Sequence, residues 1–171
     1  MNSITTQVLT MRNAGVIKRS HTCRTIMDRN VAEHSHGVAM LVLLLYQSAG
    51  MLPRAELLAA ALSHDLSEIA TGDTPAPVKR QYPDLKRELN RITTTWENDH
   101  GLRFNLTPGE SALLLWCDRM DFTLYCLEEM KMGNQYFEEY YARISEWLRQ
   151  SELPSVDGVT NACTALMNDV L

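Results

Sequence analysis

Several polar residues of this chain fall where a helical sequence normally places leucine. His34 lies in line with Val38, Leu41 and Leu45, the i, i+4, i+7, i+11 spacing of one buried helix face. Further on, Asp65 shares a stripe with Leu58, Leu62 and Ile69, and its neighbour His64 lies beside Leu57 and Ala61. Asp118 occupies a face with Leu114, Leu115, Phe122 and Tyr125. A carboxylate inside a core needs a cation or several donors. One divalent ion would satisfy both aspartates and occupy both imidazoles. Taken singly, His34 reads as a satisfied core histidine and Asp118 as a partner of Arg119. Taken jointly, on three helices, the set reads as a metal site. Mixed nitrogen and oxygen donors suit Mn²⁺, Co²⁺, Fe²⁺, Zn²⁺ or Ni²⁺ and do not choose among them.

The elements that must position these residues are helical almost throughout. Apolar residues recur at helical spacing, which predicts helices near 3–14, 31–49, 53–71, 82–100, 108–132, 135–150 and 156–170. Gly15 and Gly50 stand where helix C-caps belong, and Thr107-Pro108-Gly109-Glu110 has the form of a capped helix start. Residues 16–30 show no period, and Pro75 and Pro77 forbid a continuous helix through 72–81, so both stretches are expected to be loops. The fold class expected is all-α, a single compact helical-bundle domain spanning 1–171, long enough to bury roughly 70% of its unfolded surface.

Composition narrows the function. The 171 residues carry a net charge of −5 at pH 7, which argues against a duplex nucleic-acid binder that works through phosphate attraction. The longest apolar run, AMLVLLLY, is too short for a membrane span, and MNSITTQVLTMRNAG lacks the shape of a signal peptide, so a cytoplasmic protein is expected. Cys23, Cys117, Cys126 and Cys163 show no Cys-x-x-Cys pairing and read as free thiols. No Walker loop is present, which excludes a P-loop NTPase. The acidic stretch 31–77 is flanked by basic ones, including Lys18 and Arg19 before it and Lys79, Arg80, Lys86 and Arg87 after it. These could be anion-binding walls of a metal site or simply a solvated face.

The order His … His-Asp … Asp on a helical chain resembles the HD-domain phosphohydrolases. RNVAEHSHGVAM, HDLSEIATGDTPAPVK and CDRMDFTLYCLEEMKMGN resemble the YfbR-like 5'-deoxynucleotidases in particular, from about Lys18 to Asn134. The short length is also similar to that of phage members, of the DatZ type, that hydrolyse dATP. The resemblance implies His34, His64, Asp65 and Asp118 as ligands of a divalent ion (Co²⁺, Mn²⁺, Zn²⁺ or Mg²⁺), and whether a second ion joins near Glu68 and Asp73 stays open at this point. It implies Glu68 beside the attacking water, Arg19 on the substrate phosphate and Asp73 near the deoxyribose. Ser20 stands where the family commonly has Trp, so Ser20 and Thr22 are the side chains expected to meet the nucleoside, and Lys79 closes a proline-stiffened wall.

The expected reaction is metal-assisted hydrolysis of a 5'-phosphoester. The leading substrate is dATP, cleaved to deoxyadenosine and triphosphate during phage replication in the host cytoplasm. The alternatives are release of phosphate from deoxynucleoside monophosphates and, in another class, a non-catalytic nucleotide sensor. A deoxynucleotide is thus the expected partner. Leu43 and Leu44 lie off the His34 stripe, and with the resemblance they imply a homo-oligomer, dimer or hexamer.

Overall fold

The structure, a computed structural model, describes residues 3–171. Its order is α1 (Ile4–Arg12), a 3-10 turn (Asn13–Val16), β1 (Lys18–Arg19), β2 (Arg29–Asn30), α2 (Val31–Ser48), α3 (Ala55–Ser63), α4 (Glu68–Thr71), α5 (Ala76–Gln81), α6 (Pro83–His100), α7 (Pro108–Lys131), α8 (Glu138–Gln150) and α9 (Val159–Val170). Among the described residues the only sheet is the antiparallel pair β1–β2, in which Lys18 faces Asn30 and Arg19 faces Arg29.

Two capping boxes set the helices that matter most. Asn30 accepts from the Glu33 amide while Glu33 reaches back to the Asn30 amide, so β2 runs straight into α2. Thr107 and Glu110 do the same at the start of α7, with Pro108 in the first turn. Gly50, at φ 72°, takes the left-handed turn that follows α2. Gly15 instead falls inside the 3-10 turn.

Helices α2, α3 and α7 meet face to face, with α8 and α9 closing the other side. The core between them is built from Val38, Val42, Leu57, Ala61, Leu113, Trp116, Cys117 and Met120, and Leu148, Val159 and Cys163 complete it. A smaller cluster under the 20–28 loop joins Tyr125, Cys126 and Phe137. All four cysteines are free, three of them buried and Cys23 partly so. No described helix is long and apolar enough to cross a membrane.

Three expectations are corrected. The helix predicted over 53–71 stops at Ser63; residues 64–67 turn through 3-10-type bonds (Leu66 N to Ser63 O, Glu68 N to Asp65 O) before α4 begins. The apolar period continues across this break and conceals it. Residues 76–81 are helical, because Pro75 caps α5 and Pro77 occupies its first turn, where a missing N–H costs nothing. Leu62 and Leu115, placed on buried stripes from spacing, are 51% and 47% exposed. The α3 arithmetic fails at its broken end, and Asp118 lies at the edge of the buried α7 face rather than its centre.

Candidate active site

Four elements converge on one cluster. His34, at the end of the first turn of α2, is fully buried, and its Nε2 lies 3.1 Å from Asp118 Oδ1 on α7 and 3.2 Å from His64 Nε2 at the end of α3. Asp65 Oδ2, on the turn after α3, is 3.5 Å from His34 Nε2 and 3.4 Å from His64 Nε2. The β1 residue Arg19 clasps Asp65 with one guanidinium nitrogen, which also lies 3.7 Å from Glu68 Oε2.

The donor set can be tested for a cation from its own hydrogen bonds. His64 Nδ1–H donates to Ala61 O at 2.8 Å, and His34 Nδ1–H donates to Asp121 Oδ2 at 2.6 Å. Both Nε2 atoms thereby face each other and the Asp65 and Asp118 carboxylates, a position that favours a positive charge, either a proton on His64 or a bound cation. His34, His64 and Asp118 each offer a ligand atom within 4.8 Å of the others, a set that fits a divalent ion. Asp65 adjoins them, but its carboxylate is already shared with Arg19.

Charge and burial tune each group. Burial draws the His64 imidazole down, yet the Asp65 and Asp118 carboxylates outweigh it and push it up to about 9. Burial opposes the Asp65 charge, but His64, Arg19 and His34 hold its carboxyl well below the ordinary range. Asp118, also opposed by burial, is kept low by the His34 hydrogen bond. Glu68 goes the other way. Burial and the charge of Asp65 push it up to about 8 against Arg19 and Lys79, and its Oε2 is buried without a hydrogen-bond partner. A carboxyl held like this is poised to exchange a proton near neutrality.

The remaining expected residues divide. Asp73 Oδ2 accepts from the Ser20 amide at 3.2 Å, which pins the start of the 20–28 loop, and Ser20 adopts a left-handed φ of 54°. Lys79 lies close enough to Glu68 to act on its charge. Thr22 is exposed at the turn. On α6, Arg87 is engaged by Asp84 with both side chains largely exposed, so that basic run is a solvated face.

Sequence reasoning missed two residues, Asp121 and Glu129. Asp121 is 5% exposed and ties His34 to Arg29. Its i+3 spacing from Asp118 was the available signal. Glu129, fully buried on α7, accepts from the Ile26 and Met27 amides and from Asn134 Nδ2, while Tyr125 Oη donates to Met27 O at 2.9 Å. Together they anchor the loop that joins β1 to β2, and through it Arg19. Burial resists the Glu129 charge, but these donors hold its carboxyl below the ordinary range. The stability it contributes is therefore present above the unfolded value near 4.5 and lost as pH falls through the lower folded value. Glu129→Ala should cost about 1–3 kcal/mol at pH 7, because the Ile26 and Met27 amides lose their acceptor. Comparing its melting temperature with wild type between pH 7 and pH 3 should show the gap closing; a constant gap would contradict the role.

Solved HD-domain phosphohydrolases share this fold. A family model described as 5'-deoxynucleotidase YfbR-like matches residues 7–106, and the chain belongs to that family. A 5'-deoxynucleotidase of Vibrio atlanticus is 29% identical over 162 residues, covering 83% of this chain and 84% of the relative. Among solved structures, the PH0347 protein of Pyrococcus horikoshii superposes with a TM-score of 0.73 at 18% identity, covering 96% of this chain and 99% of the other. The HD phosphohydrolase DatZ of cyanophage S-2L, bound to dA and one catalytic Zn²⁺, gives a TM-score of 0.62 at 23% identity and covers 94% of each chain.

Proposed function

We propose that the protein hydrolyses the 5'-phosphoester of deoxynucleotides at the His34–His64–Asp65–Asp118 cluster. The observation that carries this reading is the pair of facing imidazole Nε2 atoms beside Asp118, with Arg19 and the unpartnered Glu68 oxygen at its edge. A divalent ion held there would acidify a water and polarise a phosphate oxygen. The Arg19 fork and the Lys79 ammonium hold the remaining phosphate oxygens and offset charge that grows on them. Glu68 takes a proton from the attacking water; the new P–O bond forms as the P–O5' bond breaks, and the proton passes to the departing 5'-oxygen. The deoxynucleoside leaves intact. Ser20 and Asp73 lie beside Arg19, where the sugar of a bound nucleotide would reach.

Two chain lengths fit this chemistry. The cations of α6 that would meet a longer phosphate chain face solvent, which favours deoxynucleoside monophosphates and agrees with relatives named 5'-deoxynucleotidase. The likeness to the dA-bound DatZ structure supports the second reading, dATP to deoxyadenosine and triphosphate. Metal-loaded protein offered a panel of dNMPs, dNTPs and NTPs should release a deoxynucleoside, with ribonucleotides poor substrates. Orthophosphate from dAMP without triphosphate from dATP decides for the first reading; triphosphate from dATP decides for the second. Binding without any product would mean a nucleotide sensor.

The same reading includes a homo-oligomer, dimer or hexamer. It is supported by the apolar residues left exposed on α1 and α2, among them Ile4 at 73%, Leu9 at 60% and Leu44 at 53%.

A further inference from the structure

Arg29, Asp121 and Gly37 take no part in the chemistry above, yet they are built around one of its ligands. Asp121 Oδ2 receives both the Arg29 guanidinium and His34 Nδ1–H, and a second Arg29 nitrogen reaches the Asp121 carbonyl at 3.5 Å. Arg29 is itself held flat over the Tyr125 ring, 5.0 Å from its centroid. The Arg29 and Asp121 side chains are 14% and 7% exposed, so neither charge is there for solvation. One turn from His34 on α2, position 37 has no side chain, and a Cβ there would run into Asp121 Oδ1. Glycine in a helix interior costs about 1 kcal/mol relative to alanine, a cost the close approach of Asp121 explains.

We infer that Arg29 and Asp121 are positioning residues that hold the His34 ring with Nε2 turned toward the cluster, and that Gly37 is the gap through which Asp121 reaches it. The inference rests on the metal-site reading of His34, His64 and Asp118. A histidine ligand whose other nitrogen donates to a carboxylate keeps one tautomer and one orientation, and loss of such a partner weakens metal affinity about 10–100-fold. Here the carboxylate is held in turn by a strand residue. Because Arg29 faces Arg19 across the β1–β2 pair, the same ribbon carries the phosphate-facing arginine and steadies the metal-facing histidine. Displacing Asp121 should therefore be felt first as metal affinity.

The test measures Zn²⁺ or Co²⁺ affinity by competition with a chelator, with melting of the metal-free protein as a check on fold. Asp121→Asn keeps an acceptor for His34 but gives up the charge that Arg29 holds. Gly37→Ala favours the helix and leaves His34 untouched; its Cβ would collide with Asp121 Oδ1 and only reach ordinary contact with Arg29 Nη2 at 3.5 Å. Each should bind metal about 10–100-fold more weakly than wild type while remaining folded. The double variant should be no weaker than Asp121→Asn alone, since both act through one carboxylate. Wild-type affinity in either folded single variant, or full additivity in the double, overturns the inference. A wild-type protein that binds neither ion would instead overturn the metal-site reading.

Discussion

Asp118→Ala should abolish metal binding and activity together. His34 and His64 would remain in place, but the carboxylate that completes the set would be gone. The loss should exceed the ~10–100-fold expected when only an outer partner is removed. Thermal melting gives a second view of the same event. An ion that binds only the folded chain stabilises it by about 4 kcal/mol at ~1,000 times its Kd. Wild type should show that rise in melting temperature on adding metal, and Asp118→Ala should not. Elemental analysis that finds wild-type metal stoichiometry in both Asp118→Ala and His64→Ala would place the ion elsewhere.

Glu68→Gln should divide the chemistry from the binding. The amide keeps the size of the side chain and the fold around it, so metal content should match wild type. It cannot take a proton from water, and kcat should fall about 10²–10⁴-fold with KM little changed. The substitution should also alter stability in the metal-free protein. Burial and Asp65 hold the folded Glu68 carboxyl up at about 8, above its unfolded value, so the folded chain favours the protonated form. Stability is then full below the unfolded value near 4.5 and declines as pH rises toward 8. Glu68→Gln should lack that decline and melt at or above wild type at pH 8. A near-normal kcat would remove Glu68 from the mechanism, whatever the melting curve shows.

Much of this site could be read from residue types set against helical period. His34 and Asp118 announced themselves as polar groups among leucines, and the capping signal at Thr107 located the helix that carries Asp118. The His-Asp pair was legible as residues but not as geometry. Leu57, Ala61 and Ile69 keep the apolar period across the break at Ser63, so nothing local marks the turn that lets His64 and Asp65 face the same point. Asp121 and Glu129 were hidden for a different reason. Each is satisfied by donors about a hundred residues away, Arg29 in one case and the Ile26 and Met27 amides in the other, and a periodicity window sees only neighbours. Two adjacent glutamates late in an amphipathic helix look solvated until a loop arrives to cover one of them. The basic run on α6 shows the opposite error, since charge counted along the chain says nothing of direction in space.

The placement of α7 also bears on how the chain becomes active during its synthesis. Arg19, His34 and His64 all emerge early, but their anchors Asp118, Asp121 and Glu129 lie beyond residue 107, at the start of α7. Ribosomes add about 5–20 residues per second, so the first part of the cluster exists for seconds before its counterpart leaves the exit tunnel. Pairings of such long sequence separation form late, after the helices they join. A nascent chain stalled before α7 would present His34, His64 and Asp65 without the Asp118 carboxylate, and a β1–β2 loop with nothing to close on. Catalytic competence should therefore appear in one late step, when α7 docks, rather than build up gradually with chain length.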